Sequence, residues 1–187
     1  NDKYHRHLGQ IAPPFHVIRA LGLPEEGETF RGTTFRAVPV FESPERLAGD
    51  EVTIIHFRSE GLHVAFLGDL GHLLTDAELA PIRGADVVLA PAGGTPTIAL
   101  DDVPALLDSI GPKVVVPMHY KTPKIDLDIR PIEEFLARLP DGGEGREHAA
   151  EQAHDQVISM ATAMTQGPKR KLMFTEANVL LFMVSME

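Results

Sequence analysis

The segment VVVPMHYKT, Val114 to Thr122, ends a run of β-branched residues on a histidine and a tyrosine. An imidazole at the carboxyl end of a buried strand needs a partner for each ring nitrogen, and a backbone carbonyl and a metal ion are both ordinary answers. Two more polar segments fall where apolar runs stop, Gly68-Asp69-Leu70-Gly71-His72 and Pro91-Ala92-Gly93-Gly94-Thr95. A carboxylate at one strand end and a histidine at another can converge on one point. Hard or borderline cations such as zinc accept that nitrogen and oxygen donor set. Spacing alone leaves plainer readings open: His119 as a core histidine bonded to a carbonyl, and Asp69 as the cap of the following turn.

Composition narrows the chemistry. The chain has 187 residues, 43% hydrophobic and 24% charged, which fits a single domain over 1–187 with a sizeable core. It contains no Cys, so disulfides, thiolate metal sites and Cys nucleophiles are excluded together, and any metal must be held by His, Asp or Glu. A formal charge of -10 argues against nucleic acid and anionic membrane as partners, because clustered Lys and Arg drive both. The one basic cluster, Lys169-Arg170-Lys171, reads as a solvated turn. With no secretory signal and no apolar run of the ~18 residues a membrane span requires, a cytoplasmic protein is expected. The chain opens at Asn1 without an initiator Met, as a processed or incomplete piece would.

The elements that must position these residues follow from periodicity. Thr33 to Phe41 alternates as a strand, and Gly22 to Gly32 before it reads as a turn. Glu51 to Ser59 and Leu62 to Leu67 form a hairpin about Glu60-Gly61, leading to Gly68-Asp69. Thr75 with Glu78 three residues on is a capping box opening a helix to Ile82. Asp86 to Ala90 and Lys113 to Pro117 are buried strands, and Asp101 to Ile110 and Pro131 to Leu139 are helices. Glu147 to Thr165 is helix-compatible, and Val179 to Met186 reads as a last strand. Strands first, then strand and helix in alternation, predict an α/β protein with helices on a mixed sheet and a site at strand carboxyl ends.

Taken together, FLGDLGHLLT (Phe66 to Thr75), ADVVLAPAGGTPTI (Ala85 to Ile98) and GPKVVVPMHYKT (Gly111 to Thr122) resemble the metallo-β-lactamase superfamily, in a branch of metal-dependent hydrolases similar to ascorbate phosphate lactonase. The resemblance runs from about His5 to about Leu139, and residues 140–187 are less family-like. It implies a four-layer αββα sandwich with metal at the sheet edges, without its first strands if the chain is a fragment. His119 would be the last metal ligand and Asp69 the carboxylate that bridges two metals.

The departures from the family pattern are informative. Members carry a His-x-His-x-Asp-His motif; a match ending at His5 puts Tyr4 at the aspartate and Asp2 at the second histidine, while a one-residue insertion makes Asp2 the aspartate. The next ligand, normally His in Val-Pro-x-aromatic-His-Asp, is Glu42 in Val38-Pro39-Val40-Phe41-Glu42-Ser43. A carboxylate there is a harder donor and shifts preference away from softer metals. His72 would stand near the site as a proton donor or substrate contact, and His7 is an outside candidate ligand. His16, His56 and His63 fall within strand-like runs, with structural or solvent-facing roles. His148 and His154 read as exposed.

The resemblance therefore implies one or two ions of zinc, manganese or iron, and metal-activated water attacking a small ester, lactone or phosphoester. A missing first strand set would expose the partner sheet's apolar edge, so a homo-oligomer that covers it is expected. The competing expectation, carried by the altered leading motif, is a degenerate, non-catalytic member acting as a binding or scaffold protein.

Overall fold

The computed structural model describes residues 17–123 and 126–139, together with the paired strands Met173–Phe174 and Leu180–Leu181. Six strands form one sheet in chain order: β1 (Glu28–Phe30), β2 (Thr33–Phe41), β3 (Glu51–Ser59), β4 (Leu62–Phe66), β5 (Val87–Pro91) and β6 (Val114–Met118). The first three pairings are antiparallel and the last two parallel. Because β2 and β4 are each antiparallel to β3, they run the same way, and β5 and β6 run with β4. The carboxyl ends of β2, β4, β5 and β6 thus share one edge of the sheet.

Local chemistry explains these boundaries. The β3–β4 turn uses Glu60 and Gly61, both at positive φ (51° and 81°), the twist that a two-residue hairpin favours. The parallel strands need crossovers, which helices provide. Helix α1 (Asp76–Leu79) carries the capping box expected of Thr75 and Glu78, and is shorter than the expected run to Ile82. Helix α2 (Val103–Ile110) follows a 3-10 turn at Leu100–Asp102 and ends on Gly111 in the left-handed region (φ 74°), where a side chain would be strained. Helix α3 is Ile132–Leu136. The expected turn over Gly22 to Gly32 is corrected in part: Glu28–Phe30 pairs with Thr33–Phe35 as an edge strand. A strand of three residues is too short to show an alternation.

Alternation along the strands divides the core. Val38, Val40, Val52, Ile54, Ala65, Val88 and Ala90 face Leu79, Ile82, Leu106, Ile110 and Phe135, burying the helical side. The opposite sheet face gathers Phe57, Val64, Val87, Leu89 and Met118, with Phe35 packed on Phe57 at 5.1 Å between ring centroids. Helices on one face and a second apolar face are what one half of an αββα sandwich presents. The short strands β7 (Met173–Phe174) and β8 (Leu180–Leu181) pair antiparallel, the second within the run expected from Val179. The expected helix at 147–165 and the turn at 169–171 lie outside the described residues. No helix among the described residues is long and apolar enough to cross a membrane.

At the sheet edge away from those carboxyl ends, His56 and His63 are buried together, His56 Nδ1 standing 3.2 Å from His63 Nε2. Arg36 lies opposite His56 and Arg58 opposite His63. Burial first, then His63, Arg36 and Arg58, push the His56 imidazole down to about 4. His63 is also lowered, by burial and then Arg58, with Asp86 pulling the other way. An unfolded histidine protonates near ~6.5, so between that pH and about 4 protons bind the unfolded chain preferentially. Stability is therefore full above the unfolded value and falls as pH drops toward the folded one. Between about pH 7 and 5, mostly above the carboxylate range, His56 should cost on the order of 2 kcal/mol. Urea midpoints at the two pH values should show this loss, and His56→Leu should flatten it. An equal pH slope in both proteins would remove His56 as the cause.

Candidate metal centre

Each expected ligand within the described residues sits just beyond a strand of that shared edge. Glu42 follows β2, the Asp69 segment follows β4, Gly93 follows β5 and His119 follows β6. Glu42, Asp69 and His119 are each half-buried. Asp2, Tyr4, His5 and His7 lie outside the described residues, as does His16.

The Asp69 segment is held on several sides. Gly68 takes φ 59°, and a Cβ there would stand 3.1 Å from the Thr53 carbonyl oxygen. Leu70 is fully buried in the helical core, and its carbonyl accepts the Ile98 amide at 2.7 Å. The Gly71 amide donates to the Phe41 carbonyl at 2.9 Å, and a Cβ on Gly71 would land on the Glu42 carbonyl oxygen. Only a glycine lets the Asp69 segment pass this close to Glu42. His72 is buried; its Nε2 accepts the Phe41 amide at 3.1 Å, and its Nδ1 lies 2.8 Å from the Leu73 carbonyl.

His119 is held in a similar way from β5. The Ala92 amide donates to the Met118 carbonyl at 2.7 Å, and a Cβ on Gly93 would strike the His119 carbonyl oxygen. The Gly93 carbonyl in turn accepts the Arg130 amide at 2.8 Å, tying the loop before α3 to the same place. His119 itself adopts φ 54°, uncommon for a residue with a Cβ, and its Nδ1 is buried with no hydrogen-bond partner. A buried polar atom left unpaired costs about 1–3 kcal/mol. A cation at that edge would give the imidazole a reason for its placement, and one imidazole with two carboxylates is a donor set suited to zinc, manganese or iron. The described residues do not complete a centre on their own: among them no group of three or more His, Asp or Glu stands at metal-holding separation.

Two further residues, Arg46 and Glu78, stand beside these segments, and the linear pattern marked only the second. Arg46, in the loop after Glu42, makes a two-pronged ion pair with Glu78 at 2.9 and 3.0 Å, and its Nη2 lies 3.2 Å from His72 Nδ1. Burial acts on the Glu78 carboxyl first and upward, but hydrogen bonds from Thr75 and Arg46 outweigh it and hold the group below its usual value. The capping box was visible in the spacing of Thr75 and Glu78; nothing in the spacing of Arg46 pointed to it.

A mixed sheet with helices, and polar segments gathered at one line of strand carboxyl ends, is the arrangement of the metallo-β-lactamase fold. Residues 1–119 match the beta-lactamase superfamily domain, and the chain belongs to that superfamily. It is 37% identical over 90 residues to a UPF0173 metal-dependent hydrolase of Geobacillus sp. strain WCH70, covering 47% of this chain and 38% of that protein. Over 73 residues it is 39% identical to a UPF0173 metal-dependent hydrolase of Methanocaldococcus jannaschii, covering 38% of this chain and 32% of the relative. The chain thus spans well under half the length of these curated relatives. A crystal structure of a candidate zinc-dependent hydrolase of the metallo-β-lactamase superfamily from Thermotoga maritima superposes with a TM-score of 0.61 at 31% identity, covering 73% of this chain and 66% of that one.

The contact between Gly71 and Glu42 is backbone on backbone, so a methyl group there cannot be relieved by a rotamer change. Gly71→Ala should lower stability by on the order of 3 kcal/mol, read as a urea midpoint. Gly22, with nothing within 4 Å of an added Cβ, provides the control: Gly22→Ala should leave the midpoint nearly unmoved. Equal behaviour of the two variants would contradict the close approach of these segments.

Proposed function

We propose that the chain is the ligand-bearing part of a metal-dependent hydrolase in which Asp69 and His119 hold a divalent ion, Glu42 adds a carboxylate, and Asp2 and His5 complete the set. The observation that carries this reading is the unpaired, buried Nδ1 of His119 on the same sheet edge as Asp69 and Glu42. The superfamily membership and the relatives named as metal-dependent hydrolases support it. Zinc is the first choice of metal, with manganese or iron favoured in proportion as Glu42 takes part.

Bound at this edge, such an ion supplies Lewis acidity toward a carbonyl or phosphoryl oxygen and an acidified water as nucleophile. The protein's own contribution is placement. Asp69 and Glu42 bring negative charge that draws a cation to the edge. His119 contributes a neutral nitrogen donor, and Gly93, passing over its backbone, keeps bulk away from the strand ends. Substrates of this reading are small esters, lactones or phosphoesters. A cytoplasmic setting and a homo-oligomer belong to the same proposal, the second apolar sheet face being the support for the oligomer.

A second reading, a non-catalytic binding or scaffold member, is favoured by one observation: the described ligands alone do not gather as three at metal-holding separation. Elemental analysis of the purified chain separates the two. The hydrolase reading predicts near-stoichiometric zinc, manganese or iron that is lost in His119→Ala, with chelation abolishing turnover of a lactone and phosphodiester panel. Absence of metal in both proteins after soaking favours the scaffold.

A further inference from the structure

We propose that His72 is a positioning residue, a buried bracket through which the Asp69 segment fixes the backbone leading into Glu42, with the Arg46–Glu78 pair closing the bracket from outside. The inference rests on the reading of Glu42 and Asp69 as ligands and assigns His72 a different part from the proton donor or substrate contact expected of it.

The Phe41 contact leaves His72 one tautomer, in which Arg46 Nη2, 3.2 Å from Nδ1, stands beside that nitrogen without donating to it. A backbone N–H can only donate, so the Phe41 amide at 3.1 Å requires a lone pair on Nε2. The proton then sits on Nδ1, pointing to the Leu73 carbonyl at 2.8 Å. A hydrogen on Nε2 would face the Phe41 hydrogen, so the ring cannot deliver a proton from that nitrogen while the contact stands. Phe41 immediately precedes Glu42, and its carbonyl accepts the Gly71 amide. Both backbone groups of Phe41 are thus held by the segment that carries Asp69, one by Gly71 and one by His72.

The outer pair keeps this arrangement in register. Arg46 adopts φ 55°, and its two-pronged contact places Glu78 between the loop after Glu42 and the start of α1. The same carboxylate accepts the Thr75 amide at 2.7 Å and the Thr75 hydroxyl at 2.8 Å. With Glu78 mostly buried and the fork geometry satisfied, this pair is unlike a solvent-screened surface bridge. One chain of contacts therefore runs from α1 through Glu78 and Arg46 to the loop beside Glu42, and a second from His72 to Phe41.

The test uses the full chain and two readouts, hydrogen exchange of the Phe41 amide and the dissociation constant for zinc alone. His72→Phe keeps the ring and removes the acceptor; His72→Gln offers a new acceptor near the old Nε2. The expected result is Phe41 exchange and zinc dissociation constant each raised ~10–100-fold in His72→Phe, with most of both recovered in His72→Gln. Should His72→Phe fail to fold, Glu78→Gln serves instead: it keeps the acceptor for Thr75, removes the charge facing Arg46, and should weaken zinc several-fold. Unchanged zinc affinity in the variant used overturns the bracket. Glu42→Ala run beside them separates the two failures. If Glu42→Ala loses zinc while the His72 variant does not, the ligand reading stands and the bracket falls. If Glu42→Ala binds zinc as the parent does, the ligand reading of Glu42 fails, and the inference goes with it even where the Phe41 amide responds.

Discussion

The direction of β3 is the constraint on which the candidate site depends. As an antiparallel strand between β2 and β4, it makes those two neighbours point the same way, so the peptide leaving β2 at Glu42 and the peptide leaving β4 at Gly68 emerge on one edge. The parallel pairings of β5 and β6 then add Gly93 and His119 to the same line. Segments separated by up to 77 residues of chain (119 − 42) reach one edge without any side chain having to reach far. The register that does this is paid in hydrophobic burial, since a one-residue slip would turn Val38, Val40, Val52 and Ile54 away from the helices.

At that edge the packing is backbone against backbone. Gly71 lies on the Glu42 carbonyl and Gly93 on the His119 carbonyl, two approaches of one kind at the two ends of the line. Small residues there let the main chains of neighbouring segments approach and satisfy one another. Gly71 to Phe41 and Ala92 to Met118 are main-chain hydrogen bonds from a loop to the end of another strand, and Arg130 to Gly93 is one between two loops. Polar groups of a loop that is partly buried must be satisfied in this way.

Much of this was legible in the residues themselves. β2 and β3 run from Thr33 to Phe41 and from Glu51 to Ser59, as their apolar patterning predicts, and the hairpin at Glu60-Gly61 follows from turn chemistry. The three motif segments fall at strand ends because a continuous apolar run must stop where the chain leaves the core. Short or non-periodic features were not legible. β1 has three residues and no period to detect, and the capping box marked where α1 starts while saying nothing of its end after four residues. The expected roles of His56 and His63 left burial open; the pairing of those rings depends on β3–β4 register, which no local window contains. Arg46 belongs to the same class, because its contact with Glu78 joins the loop after β2 to α1, 32 residues on.

The central claim is that Asp69, His119 and Glu42 serve one metal, with their strand ends as its support. Anomalous diffraction from crystals of the chain soaked in manganese, collected on either side of the absorption edge, tests it directly. The account predicts a peak within bonding distance of an Asp69 carboxylate oxygen and a His119 ring nitrogen, with Glu42 turned toward it. A peak bound elsewhere on the molecule, with His119 Nδ1 hydrogen-bonded to protein instead, would contradict it.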